Sequence, residues 1–299
     1  MNKIIECVPN FSEGRDLAKV EKIVDCFRGK KGVRLLDYSS DPDHNRSVVT
    51  VIGEPDALGK AVAKAIETAV ELIDLTKHRG QHPRMGAADV VPFIPIKNTN
   101  IKEADELARK VAAEVARRCS LPIILYERSA TAAHRENLAR IRKGEFEGMA
   151  KKMQSEKWHS DFGPDTIHPT AGLTAIGARM PLIAYNIKLD TDKIEIADKI
   201  ARKIRYSSGG FRHCKAMGVE LKERGIVEVS MNLTDFTQTS MSKVFEAVKE
   251  ECKRYEVNVL GSEIVGLVPM QALVDSAEYY LGLENFSMDQ VLENRLLNE

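Results

Sequence analysis

No stretch of these 299 residues approaches the ~20 consecutive apolar side chains that span a bilayer. The opening MNKIIECVPN has too short an apolar run for a signal peptide. Net charge is lacking as well. Lys and Arg total 44 against 44 Asp and Glu, so no global field draws the chain to nucleic acid or an anionic membrane. Cysteines are few and dispersed: Cys7, Cys26, Cys119, Cys214 and Cys252 form no CxxC pair. That argues against a disulfide framework or a zinc site, and it suits a reducing compartment, with the cytoplasm as the default. Three signatures are also missing, namely the GxxxxGK phosphate loop, GxGxxG and GxSxG. Nucleotide-hydrolase, dinucleotide and serine-hydrolase readings therefore have no motif to rest on.

What the chain does have is alternation. Lys3–Val8 reads as a strand, Arg15–Phe27 as a helix, and Val33–Tyr38 and Ser47–Ile52 as strands. Pro55–Leu75 follows as a helix with Leu58, Val62, Ile66, Val70 and Ile73 on one face, and Ala88–Ile96 as a buried strand. That order is βαββαβ, the ferredoxin-like unit. A helix over Ile101–Arg118 and a strand over Leu121–Tyr126 extend it. The order then repeats: a strand at Pro181–Leu189, a helix at Asp192–Ile204, and a hairpin of Ala216–Lys222 with Ile226–Asn232 about Glu223–Gly225. A helix at Ser240–Tyr255 and a strand at Val257–Val265 complete the second round. A last helix, Met270–Leu281, precedes a polar tail. The predicted fold is α+β, with two ferredoxin-like βαββαβ subdomains, residues 1–178 and 179–299, and a ligand groove between them. The intervening stretch Lys157–Ala178 holds the only tryptophan together with proline, glycine and histidine. It reads as an irregular, ligand-lining segment.

The residues that carry chemistry gather in the first half. HRGQHPRMGAADVVPFIP, residues 78–95, sets two histidines, two arginines and a Pro/Gly turn just ahead of an apolar strand. A loop of titratable groups on a rigid scaffold is a common form of catalytic site. His78 and His82 have the spacing of helical metal ligands, but Gly80, Pro83 and Gly86 break a helix there and no further ligand completes a set. VPNFSEG, residues 8–14, places Asn10 and Ser12 at the end of the first strand, where Ser12 also suits a helix cap. DYSSDPDHNR, residues 37–46, is a polar turn with three aspartates, Asp37, Asp41 and Asp43, a histidine and Arg46.

Taken in order, VPNFSEG, the aspartate-rich turn ending in Asn45-Arg46, HRGQHPRMGAADVVPFIP, DFGP, GARMPLIAYNI, VSMNLTDF and GSEIVGLVP resemble the formiminotransferase family over nearly the whole chain. The resemblance implies transfer of a formimino group from N-formimino-L-glutamate to N5 of tetrahydrofolate, two α/β subdomains, a homodimer, and a stand-alone transferase without a cyclodeaminase domain. It assigns catalysis to His82 and a folate-lining role to Gly163, Pro164, Asp165, Thr166, Ile167, His168, Pro169, Thr170, Ala171 and Gly172. A histidine titrating near neutrality can take the proton from the attacking nitrogen and return one to the departing amine. Asp37, Asp41 and Asp43 are candidates to keep the amidinium charged, and Arg46, Arg84 and Arg179 to grip the donor's carboxylates. Asn10 joins the substrate-binding set. Ser39 stands where animal members carry an acid, and DTIHPTAG differs from their version. The donor is therefore left open between formiminoglutamate, formiminoglycine and a 5-formyltetrahydrofolate–glutamate pair, and a folate-binding role without turnover is a rival from another class.

Overall fold

The computed structural model describes residues 3–80, 82–221 and 224–298. They fall into two compact units that divide between Arg179 and Met180.

In the first unit β1 (Ile4–Cys7) and β2 (Asn10–Phe11) are followed by α1 (Leu17–Val24), β3 (Val33–Asp41), β4 (Arg46–Gly53), α2 (Pro55–Leu72) and β5 (Ala88–Lys97). β1 and β2 both lie between β4 and β5, antiparallel to each. They are one strand broken at Pro9, which has no N–H for the ladder. Its carbonyl still accepts from Val49, and Val8 donates to Pro92. The local order β3-β4-β1/β2-β5 is that of a ferredoxin-like sheet. α1, α2 and α3 (Ile101–Cys119) each bury an apolar stripe in a core that includes Ile5, Cys7, Val49, Val51, Val91 and Phe93. α2 and α3 meet closely at Gly59, where an added Cβ would come within 2.9 Å of Leu107.

The sheet does not stop at the ferredoxin-like core. β6 (Ile123–Leu125), α4 (Leu138–Arg142), α5 (Glu145–Lys152) and β7 (Thr174–Ala178) follow. β7 inserts between β5 and β6, parallel to both. This corrects the expectation that Lys157–Ala178 is irregular to its end. All five residues of β7 are buried, and TAIGA lacks the polar/apolar alternation by which a half-buried strand is recognised. Gly177 is required there, because a Cβ would sit 2.2 Å from the Tyr126 carbonyl oxygen.

The second unit repeats the pattern as β8 (Ile183–Leu189), α6 (Ile194–Ile204), β9 (Cys214–Leu221), β10 (Ile226–Leu233), α7 (Met241–Lys253) and β11 (Val259–Val265). The order β11-β8-β10-β9 is antiparallel throughout. Part of the hairpin turn expected at Glu223–Gly225 lies outside the described residues. α8 (Met270–Leu281) matches its expected span, while the tail beyond it carries a further helix, α9 (Leu292–Asn298).

Candidate active site

The site grows from two loops held against each other. The first is the β3–β4 turn. Asp41 Oδ1 accepts the N–H groups of Asp43 and His44, each at 2.9 Å, and its Oδ2 lies 2.6 Å from His44 Nδ1. Those bonds hold the Asp41 carboxyl below its ordinary range, the backbone N–H of His44 contributing most. Asn45 then takes the left-handed conformation, φ 49°, which asparagine tolerates better than most residues. Its Oδ1 accepts from the Gly14 N–H and its amide donates to the Arg79 carbonyl.

The VPNFSEG segment grips this turn from one side. A Cβ on Gly14 would lie 2.4 Å from the Asp41 carbonyl oxygen. Ser47 Oγ donates to the Glu13 carbonyl, and Ser12 Oγ donates to Gly86 across to the second loop. Glu13 Oε1 accepts the N–H groups of Gly14, Arg15 and Asp16. Asn10 is partly buried in β2, where its amide donates to the Val8 carbonyl; it helps shape the strand end that carries these contacts.

The second loop is residues 78–86. His78 is buried, lies 2.9 Å from the Asn45 carbonyl through Nε2, and accepts Arg84 Nε–H at Nδ1. Both ring nitrogens are used, and an Nδ1 that accepts a hydrogen bond makes the ring a neutral strut; burial together with the Arg84 charge also lowers its pKa. Among the described residues no three His, Cys, Asp or Glu side chains cluster as metal ligands. Gly80 presses on the β3–β4 turn, where a Cβ would meet the His44 carbonyl oxygen at 2.3 Å. Arg84 is also buried. It holds Glu147 through two nitrogens, at 2.8 and 2.7 Å, and Glu145 at 3.0 Å. Its guanidinium is thus committed to latching α5 onto the loop.

His82, on this second loop, is half-buried, its ring centroid 6.3 Å from that of His44 on the first. Its pKa is pushed down to about 3, first by burial and then by the charges of Arg46 and Arg142. Arg46 starts β4 and is itself partly desolvated, which lowers its pKa. Its Nε is buried without a hydrogen-bond partner among the described residues. Arg142, the last residue of α4, donates from Nε and Nη2 to Asp89 Oδ2 at 2.8 and 2.5 Å. Asp89, at 2 % exposure, uses Oδ1 to accept the N–H groups of Met85 and Gly86. The arrangement is a neutral imidazole under the charges of two guanidiniums, one with an unused buried donor.

A match to family models covers both units: "Formiminotransferase domain, N-terminal subdomain" over residues 4–179 and "Formiminotransferase domain" over 184–297. The chain belongs to the formiminotransferase family. It is 52% identical to a glutamate formimidoyltransferase from Streptococcus pyogenes serotype M1, covering 99% of this chain and all of that one. It is 43% identical to a glutamate formimidoyltransferase from Thermoplasma acidophilum, over 98% of this chain and 97% of that protein. Similarity to a formimidoyltransferase-cyclodeaminase of Mus musculus, 38% identical, covers 95% of this chain but 53% of the longer relative.

The other residues singled out from the sequence scatter about this candidate site. In Gly163–Gly172 the second half adjoins the 78–86 loop. Gly86 bridges Gly172, Ala87 N–H donates to Ala171, and Leu173 N–H to Met85. His168 Nδ1 accepts the N–H groups of Thr170 and Ala171, and Ile167 packs on the cluster containing Met85. Gly163, Pro164, Asp165 and Thr166 are exposed, with Ser160 Oγ bonding three of them. Pro169 is exposed as well. Asp37 is exposed on β3, opposite Thr50; Asp41 is the turn carboxylate that meets a histidine. Arg179 donates its N–H to the Phe93 carbonyl, and its charge bears on Glu6 and Tyr126. Sequence reasoning missed Arg142 and Asp89. Asp89 does stand in the quoted motif, directly before the apolar run it anchors.

Proposed function

We propose that this chain transfers the formimino group of N-formimino-L-glutamate to N5 of tetrahydrofolate, giving 5-formimidoyltetrahydrofolate and L-glutamate. The observation that carries the reading is His82, beside His44 and under the charges of Arg46 and Arg142, in a chain similar over its whole length to named glutamate formimidoyltransferases. The donor is an amidine bearing carboxylates. Arg46, with its unused buried Nε, and Arg142 are the groups suited to those carboxylates. Gly163–Gly172 is proposed to line the folate, its second half standing beside the catalytic loop.

His82 acts as the base. Two neighbouring guanidiniums and burial keep the ring neutral, so it is ready to accept the proton that N5 sheds on bonding to the formimino carbon. A carboxylate bound between Arg46 and Arg142 cancels part of their field and strengthens His82 as a base only when the donor is present. Attack on a protonated amidinium gives an adduct that needs no oxyanion hole.

We also propose a homodimer. The stretch from β11 through α9 exposes Leu260, Val265, Leu267, Tyr279, Leu281, Leu292 and Leu296, each more than half exposed, and α8 buries only Ala272. So much apolar surface in one stretch is characteristic of an association face. A cytoplasmic location goes with five free cysteines.

The test is a side-by-side assay with tetrahydrofolate and formiminoglutamate, formiminoglycine or 5-formyltetrahydrofolate plus glutamate. Formiminoglutamate is expected to be preferred by more than tenfold, about 1.4 kcal/mol. A smaller margin, or no formimino transfer, would refute the donor assignment.

A further inference from the structure

The reaction moves two protons, one away from N5 and one onto the departing amine. Besides the His78 strut, the site holds two imidazoles in different environments. His82 lies under the charges of Arg46 and Arg142, whereas His44 bonds a carboxylate. Two imidazoles set beside groups of opposite charge are one way a site divides acid from base work. His44 has the geometry of an oriented catalytic histidine. Asp41 Oδ2 at 2.6 Å fixes Nδ1 as the hydrogen-bonded nitrogen, leaving Nε2 to exchange a proton.

The separation of the two rings is built into the backbone. Gly80 touches the His44 carbonyl oxygen, Asn45 ties Arg79 from the turn, and His78 ties Asn45 from the loop. The rings therefore stand T-shaped at 6.3 Å, wide enough to flank a small amidine carbon rather than bond each other.

We propose that His44 is a second catalytic residue, the acid that protonates the departing glutamate nitrogen while His82 is the base. This rests on the formimino-transfer reading. N5 bonds to the amidinium carbon and its proton passes to His82. The bond from that carbon to the glutamate nitrogen then breaks as His44 delivers a proton there. The electron pair of the remaining nitrogen re-forms the C=N bond, so 5-formimidoyltetrahydrofolate leaves as the amidinium. His82 ends protonated and His44 neutral, and exchange with solvent resets both. The charged and titratable groups about the pair are Asp41 and Asp43 on the turn, Arg15 bonded to the Pro42 carbonyl, Arg46 on β4 and Arg142 on α4.

The experiment is the pH dependence of kcat and KM for wild type and His44→Gln with formiminoglutamate and tetrahydrofolate. His44→Gln is expected to lower kcat by roughly 10²-fold with KM for the donor changed less than about threefold, and to lose the alkaline limb while keeping the acid limb. His44→Ala should regain activity with added imidazole. If His44→Gln fails to fold, Asp41→Asn decides, since the amide can still accept the turn N–H groups. It is expected to move the alkaline limb to lower pH. Wild-type kcat and both limbs in His44→Gln, or an unmoved limb in Asp41→Asn, would overturn the assignment and leave both transfers to His82. An inactive wild type would instead remove the formimino-transfer reading, and this proposal with it.

Discussion

Asp89→Asn tests whether the site is held together in the way its bonds suggest. Asp89 is 2 % exposed and binds four donors: two backbone N–H groups of the HPRMG turn and two guanidinium nitrogens of Arg142. Asparagine keeps the shape and can keep the backbone donors, but its NH₂ group then opposes Arg142, donor against donor. Removing one partner of a buried ion pair costs about 3–5 kcal/mol. The Arg142 side chain is 16 % exposed and can partly rehydrate, so the low end, about 3 kcal/mol, is the expected loss. At about 2–4 °C per kcal/mol for a unit of this size, Tm should fall by roughly 6–12 °C. KM for the donor should rise roughly tenfold, because Arg142 no longer has a fixed place. Thermal melts and steady-state kinetics measure both. Asp56→Asn, which breaks the exposed Asp56–Lys110 pair, serves as the surface control and should leave the melt unmoved. An Asp89→Asn protein melting within about 2 °C of wild type with unchanged KM would refute the reasoning.

Gly80→Ala puts a Cβ 2.3 Å from the His44 carbonyl oxygen, so the loop must shift; a loss of about 1–3 kcal/mol and a larger drop in kcat are expected, and wild-type melts and rates would contradict the close contact. Saturating L-glutamate should raise the His82 pKa from about 3, followed by NMR of the ring. A unit charge neutralised at about 7 Å with an effective dielectric near 20 is worth about 2.4 kcal/mol, roughly 1.7 pH units, and no movement on saturation would remove Arg46 and Arg142 from carboxylate binding. Glu147 is pulled down to about 2 by its hydrogen bonds to Arg84. Its stabilising contribution is therefore present above the unfolded value near 4.3 and lost as pH falls through about 2. Glu147→Gln should flatten the loss of stability between about pH 5 and 2 in urea titrations, and an unchanged slope would contradict the latch.

Much of the fold was legible because hydrophobic period reports burial directly. α2 and α8 begin where the pattern begins, and both βαββαβ rounds follow from strand and helix alternation. β7 was hidden since a strand buried on both faces has no period to display, and its five residues adjoin a loop rich in turn formers. The candidate loop at 78–86 was legible as a density of charged groups before a strand. The partners of that loop were not. The charge of Arg142 bears on His82 only because α4 and α5 fold back onto Asp89 and Arg84, and no local pattern ties residue 142 to residue 46. Arg84 looked like a ligand for substrate from sequence, yet the fold brings Glu145 and Glu147 to it from α5. Composition counts an arginine but does not say whether its charge is already spent.

The most direct measurement compares wild type with His82→Ala for turnover of formiminoglutamate with tetrahydrofolate, alongside tetrahydrofolate affinity. Turnover can be read as the methenyl absorbance formed on acidifying the product. The expected result is a signal that needs both substrates in the wild type, reduced by roughly 10²–10⁴-fold in His82→Ala with tetrahydrofolate affinity nearly kept. Equal losses of affinity and rate, or full turnover without the imidazole, would contradict His82 as the base of this site.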